Sequence, residues 1–281
     1  MNQAKILEFA FTMPDPTAAR VQKWLAGGGR KIIQAAIEES HSDHPILDLE
    51  VLDSEEVDAV AGILRVGGTH TDTIDVPVRS VVALTGTRAK AISVGSWREL
   101  FAHIHAVGWT ARSLKYFDER IDGAKLDAPG AAGELTLTAS GGLVSVQNGQ
   151  HRMVAGACWL GARDRVEARL REVRVTVSPV HRGAKAKVVA LARDGYAIQL
   201  AKASTHCSEK PNFRIRAQKS GEVRDFEVKG LDVGELTSTP SGGFREFFRT
   251  DKDNDSWGWV PVSKRLIDAL SDDDWLPETL R

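Results

Sequence analysis

The sequence predicts an α+β protein in three parts: a helical N-terminal segment over residues 1–70, a mixed strand-and-helix domain over 72–180, and a β-rich region over 195–281 that ends in a helix. Three observations lead there. Apolar residues recur at helical spacing through the first 70 positions. Beyond residue 72 they alternate in short β-branched runs, and past residue 195 turn signals follow one another closely.

Asp15-Pro16 opens a helix with an acidic cap and proline at the first helical position, Val21, Trp24 and Leu25 continue it, and Gly27-Gly28-Gly29 stops it. Residues 30–40 place Ile32, Ile33, Ala36 and Ile37 on one face, and Ser54 precedes a further amphipathic helix carrying Val57, Val60, Ala61 and Leu64. Residues 74–82 read as one strand, with Pro77 arguing for an edge or a strand end because proline cannot donate to a ladder. Ser96-Trp97-Arg98-Glu99 is a capping box, and the helix it opens runs toward Gly108. Residues 135–138 and 143–147 are two strands around the turn Ala139-Ser140-Gly141-Gly142, a helix covers 150–160, and residues 171–178 return to strand alternation. In the last part, 213–216 and 223–229 are short strands, Ser220-Gly221 and Ser241-Gly242-Gly243 are turns, and Ser263 caps a final helix.

Composition narrows the class. Over 281 residues, 42% hydrophobic and 27% charged residues argue against a disordered, collagen-like or disulfide-scaffold chain. Two cysteines, Cys158 and Cys207, supply no framework of bridges, which points to a reducing compartment. Residues 1–12 lack a signal-peptide pattern and no apolar run reaches membrane-spanning length, so a cytoplasmic protein with no membrane partner is expected. The net charge of −1 hides an uneven distribution: residues 1–149 hold 14 basic and 19 acidic side chains, 150–224 hold 16 and 6, and 225–281 hold 7 and 13. A basic block of that size attracts a polyanion locally, unless the acidic flanks fold over it and cancel it.

The segment with the most chemistry is Val146-Gln147-Asn148-Gly149-Gln150-His151-Arg152-Met153-Val154-Ala155. A strand delivers the chain to a glycine turn, and a helix starts at once with Gln150, His151 and Arg152 in its first turn. Such a start is an anion site, because the first backbone N–H groups have no intrahelical acceptor and the helix dipole places partial positive charge on them. Arg152 adds a two-pronged donor, and His151 adds a donor or an acid–base group near neutral pH. Asn148-Gly149 is equally a strong hairpin signal, in which case residues 150–154 are a returning strand.

At these residues the sequence resembles the ParB/sulfiredoxin superfamily, whose members place a D/E-G-x-H/R-R turn between a strand and an alanine-rich helix. The Gly-Gln-His-Arg of residues 149–152 is close to the form found in ParB-like nuclease and DGQHR-type domains. The likeness spans residues of about 72–180, with 74–82 as the opening strand, 97–108 as the helix before the central strands and 173–177 as the closing strand. It implies a ParB/sulfiredoxin-like mixed sheet in which Asn148, Gly149, Gln150, His151 and Arg152 bind phosphate. It further implies a nucleoside triphosphate (CTP or ATP), with Mg²⁺, and DNA as partners. Sulfiredoxin's catalytic cysteine has no counterpart, since Gln150 stands in its place, and Asn148 replaces the usual acidic residue. Neither an E-N-x-Q-R motif nor a helix-turn-helix follows residue 180.

Other clusters read as structure. Asp251, Asp253 and Asp255 have the odd spacing of a calcium loop, but Ser256 and Val262 occupy the positions that need Gly and Glu. His103 and His105 are two apart on a predicted helix and so point away from each other. His41, Asp43 and His44 form a loop without a second ligand pair, and Cys207 beside His206 reads as a surface or core pair rather than a nucleophile. Trp257, Trp259 and the Phe244, Phe247 and Phe248 cluster beside Arg245 and Arg249 read as core aromatics, with base stacking the alternative. Arg163, Arg165, Arg169, Arg171 and Arg174, interleaved with acidic residues, read as a solvated helix face. With Lys185, Lys187, Arg214 and Arg216 they are alternatively a phosphate-tracking surface.

The functional expectation is a nucleotide- or DNA-phosphate-binding protein, DNA-associated or regulatory, in which Arg152 neutralises the phosphate and His151 donates to it. One alternative is a nucleotide hydrolase, phosphotransferase or nuclease with His151 as the catalytic acid–base group. Another is a mobile-element interaction protein that keeps the fold without the ligand.

Overall fold

The computed structural model describes residues 28–85, 95–106, 108–128, 131, 133–202, 212–236 and 258–278. The helix expected over 16–25, Cys207 with His206, the 241–243 turn, the Phe244, Phe247 and Phe248 cluster with Arg245 and Arg249, Trp257 and the Asp251–Asp253–Asp255 run lie outside them. Among the described residues the architecture is mixed α+β, with seven α-helices and three sheets. The chain forms two units, residues 1–54, 71–139 and 144–176 in one, and 55–70, 140–143 and 177–281 in the other.

In the first unit, α1 (Gly29–Glu38) buries Ile32, Ile33, Ala36 and Ile37 as the sequence pattern requires. A two-stranded ladder joins β1 (Glu50–Val51) to β4 (Gly95–Ser96). The main sheet runs in the order β2 (His70–Pro77), β7 (Arg169–Ser178), β5 (Thr136–Ser140), β6 (Leu143–Asn148), β3 (Val81–Leu84). Pro77 closes an edge strand, as its missing donor demands. The single strand expected over 74–82 is instead two, broken by a 3₁₀ turn at Val78–Ser80 and lying at opposite edges of the sheet. Three buried residues, Val78, Val81 and Val82, keep the apolar pattern going through the break and hide it from a reading of alternation.

The capping box forms: Ser96 Oγ accepts from the Glu99 amide and the Glu99 carboxylate accepts from the Ser96 amide. After α2 (Ser54–Leu64), this box opens α3 (Trp97–Phe101), which is shorter than expected and ends at Phe101 rather than near Gly108. A one-turn helix, α4 (Ala111–Leu114), follows. The axis of the unit is α5 (Gln150–Asp164), with every residue from Arg152 to Ala162 buried. Helices α1 and α3 pack against it. Gly156 lets the Phe117 ring come so close that a Cβ there would lie 2.8 Å from it.

The second unit is built on an antiparallel sheet in the order β11 (Asp232–Leu236), β10 (Glu222–Lys229), β9 (Asn212–Lys219), β8 (Ala197–Lys202), β12 (Val260–Val262). One face carries the buried Ile198, Leu200, Phe213, Ile215, Phe226 and Val228, with α6 (Arg182–Arg193) packed against β8, β9 and β11. The terminal helix α7 (Lys264–Ser271) packs on α6. Sequence reading did not anticipate α6, whose cap is a histidine. It did anticipate β9, β10 and α7.

Candidate functional site

The site grows out of the junction between β6 and α5. Val144 and Val146 hold β6 in the sheet, where it pairs in parallel with β3. The chain then turns at Gly149, with φ 86° and ψ 32°, a left-handed conformation that costs an L side chain roughly 1–2 kcal/mol. Helix α5 starts on the next residue, and its first closing bond runs from the Met153 amide to the Gly149 carbonyl. The hairpin alternative is thereby set aside, since residues 150–154 are helical. The amides of Gln150, His151 and Arg152 are the donors a helix start leaves without intrahelical acceptors. No side chain of the cap residue covers them, because that residue is glycine.

The side chains of the motif divide into two groups. Three of them hold neighbouring backbone. Asn148 Nδ2 donates to the Glu134 carbonyl at 2.5 Å, Gln150 Nε2 donates to the Thr85 carbonyl, and Arg152 Nη1 donates to the Gly133 carbonyl at 2.9 Å. Arg152 is 6% exposed and its guanidinium lies 5.9 Å from the centre of the Tyr116 ring. Burial raises the Tyr116 pKa, and the neighbouring Arg152 opposes that rise. Arg152 thus ties the first turn of α5 to the 133–135 segment.

His151 stands apart from this group. It is half-buried, and its Nδ1 accepts a hydrogen bond from the His105 amide at 3.3 Å. A neutral ring that accepts at Nδ1 carries its proton on Nε2, so His151 presents a donor rather than a base. The exposed His105 ring lies 5.3 Å from it, centre to centre, with the planes tilted by 48°. Burial, and secondarily His105, hold the His151 pKa below the usual imidazole value. His103 and His105 follow the end of α3 instead of lying on the helix expected for them, and both are exposed.

The remaining sequence candidates have structural partners. His44 is 5% exposed and its Nδ1 accepts from the amides of Ile46 and Leu47, which leaves no lone pair there for a metal. With Glu39, Ser40, His41, Ala162 and Arg165 it lines a pocket of about 330 Å³. Among the described residues no group of three or more His, Cys, Asp or Glu is placed to hold a metal ion. The arginine run is not one helix face. Arg163, at the end of α5, pairs with Asp118 and Asp164 in the interior, whereas Arg169, Arg171 and Arg174 lie on β7. Burial raises the Asp118 pKa against the pull of Arg163, which marks this as a structural pair rather than a surface charge. Arg174 pairs with Asp122 and Glu134, and Arg216 pairs with Asp225 and lies 4.2 Å from the Trp259 ring centre. Cys158 is wholly buried, and burial pushes its thiol pKa far up, so it is not a nucleophile.

Sequence reasoning missed Thr85, Gly133, Glu134, Tyr116 and His105 as neighbours of the turn. Three of these contribute only carbonyl oxygens, which every residue type supplies, so no sequence signal marks them. Among the described residues no helix is long and apolar enough to cross a membrane. Comparison with known proteins found no matching family model, no matching curated protein and no matching solved structure.

Proposed function

We infer that the β6–α5 junction is a phosphate-binding site of the ParB/sulfiredoxin-like kind, and that the protein binds a nucleotide, CTP or ATP with Mg²⁺, or a DNA phosphate, in a DNA-associated or regulatory role. The observation that carries this reading is Gly149 in a left-handed conformation at the cap of α5, with His151 beside it. A glycine cap leaves the first-turn amides open to an anionic guest, the dipole of a 15-residue helix favours negative charge there, and Nε2 of His151 adds a donor. Binding is favoured over hydrolysis because the His151 nitrogen that a base would use is engaged by the His105 amide. Arg152 acts in this reading as a positioning residue, through the Gly133 carbonyl and Tyr116.

Thermal unfolding of the full chain with CTP, ATP, GTP and UTP, each with and without Mg²⁺, and with duplex DNA tests the reading. A ligand at 100 times its Kd is expected to stabilise the protein by about 2.7 kcal/mol. His151→Ala is expected to lose most of that gain while unfolding normally when no ligand is present. Stabilisation by none of these additives, or undiminished stabilisation in the variant, overturns it. Arg152→Ala is a poor probe, because a buried side chain with two structural partners is removed along with any ligand contact.

A further inference from the structure

Two imidazoles from different segments meet at this site, and the functional reading accounts for only one of them. His105 comes from the loop after α3 and His151 from the first turn of α5, and their ring centres are 5.3 Å apart. The contact has a direction, since the His105 amide donates to His151 Nδ1. Nε2 of His151 and both nitrogens of the exposed His105 ring are what this contact leaves for a guest or for solvent.

Among the described residues, Arg152 is the charged side chain nearest in sequence to His151, and it is directed to the Gly133 carbonyl and the Tyr116 ring. Tyr116 faces Arg152, Glu134 acts on Tyr116 and pairs with Arg174, and His105 is the titratable group that acts on His151. Protonating both rings at once is opposed by their repulsion across about 5 Å and by the partial burial of His151. An oxyanion with two charges, placed between the rings and the α5 amides, removes the repulsion. An anion with one charge removes less of it.

We propose that His105 and His151 form a two-imidazole clamp that takes up one proton from solvent when a doubly charged oxyanion binds, so that the site selects the terminal phosphate of a free nucleotide over the singly charged diesters of a nucleic-acid backbone. The proposal rests on the phosphate-binding reading above and adds to it a second ligand residue, a charge preference and a proton. No bond other than N–H is made. By linkage, a proton bound with the ligand makes affinity rise as pH falls, by up to tenfold per pH unit over the range in which it is taken up.

Sulfate is the probe of choice, since it keeps its double charge across the range where a phosphate monoester itself titrates, near pH 6. The experiment is calorimetric titration of sulfate into the full chain between pH 5.5 and 8, in two buffers of different ionisation heat. Wild-type protein is expected to bind sulfate more tightly at low pH, with a heat that depends on the buffer. His105→Asn, at an exposed position, is expected to fold normally and to lose both the slope and the buffer dependence. Methyl sulfate, with one charge, is expected to bind weakly without proton uptake. In parallel arms CTP and ATP are expected to bind with a pH slope and duplex DNA without one. Sulfate and nucleotide affinities that do not change with pH, or a slope that survives in His105→Asn, overturn the clamp and leave the phosphate site standing. Failure of every anion to bind at any pH overturns both.

Discussion

Helices α5 and α6 begin alike in sequence and differently in structure. Each follows a strand of the same sheet, and each has a histidine followed by an arginine at its start, His151-Arg152 in one and His181-Arg182 in the other. At α6 the histidine is itself the cap. His181 is 3% exposed, its Nδ1 accepts from the Ala184 amide at 3.0 Å, and its Nε2 lies 2.8 Å from the Gly230 carbonyl, to which it donates. That helix start is closed by its own side chain. At α5 the cap is Gly149, the histidine sits inside the first turn, and the motif's amide and guanidinium groups are turned to carbonyls of other segments. The same two residue types therefore complete a fold at one place and leave donors uncapped at the other. What decides between the outcomes is the residue at the cap.

The comparison is broken or sharpened by substitution. The largest effect is expected at His181→Ala, which removes a cap, leaves the Gly230 carbonyl without its donor and opens a cavity. Together these cost about 2–4 kcal/mol. The matching His151→Ala change is expected to cost less than about 1 kcal/mol, and chemical denaturation of the two variants side by side measures the difference. Equal losses would mean that both histidines serve the fold. Gly149→Ala comes next. A Cβ there lies 3.1 Å from Leu135 Cδ1 and 3.2 Å from Leu135 Cα, on top of the left-handed backbone, and about 1–2 kcal/mol of destabilisation is expected. An unchanged denaturation midpoint would show that the junction relaxes without penalty.

The smallest effect is in pH. The His151 pKa is held below its ordinary value of 6.5, mainly by burial. As pH falls through that ordinary value, the unfolded chain takes up the proton before the folded one does. Stability is therefore present above about pH 6.5 and lost as pH falls below it. Denaturant midpoints at pH 7.5 and 5.5 are expected to differ more for the wild type than for His151→Asn. A wider gap in the variant would reverse the sign assigned to this group.

The sequence was most legible where a residue's role is local. The capping box at Ser96 and Glu99, the break at Gly149, the edge position implied by Pro77 and the alternation of β9 and β10 all depend on residues within a few positions of one another. Helix α6 was not legible, because its cap is a histidine, outside the Ser, Thr, Asp and Asn set by which helix starts are recognised. The break between β2 and β3 was masked by valines that are buried on both sides of it. At the site, the turn and the helix were read correctly from glycine and periodicity. The side-chain partners of Asn148, Gln150 and Arg152 were not legible, since their acceptors are carbonyls 14, 65 and 19 residues away. A guanidinium in a first helical turn reads as a ligand group until its partner is known. The proximity of His105 to His151, 46 residues apart, likewise depends on where α3 ends.

The three tethers from the motif to the Thr85, Gly133 and Glu134 carbonyls have a thermodynamic consequence. The backbone at Thr85, Gly133 and Glu134 is already anchored to the junction, and the helix behind it is buried from Arg152 to Ala162. Freezing that scaffold is completed during folding, so a guest need not supply the ordering entropy on arrival. Small anions can then be held firmly by few contacts.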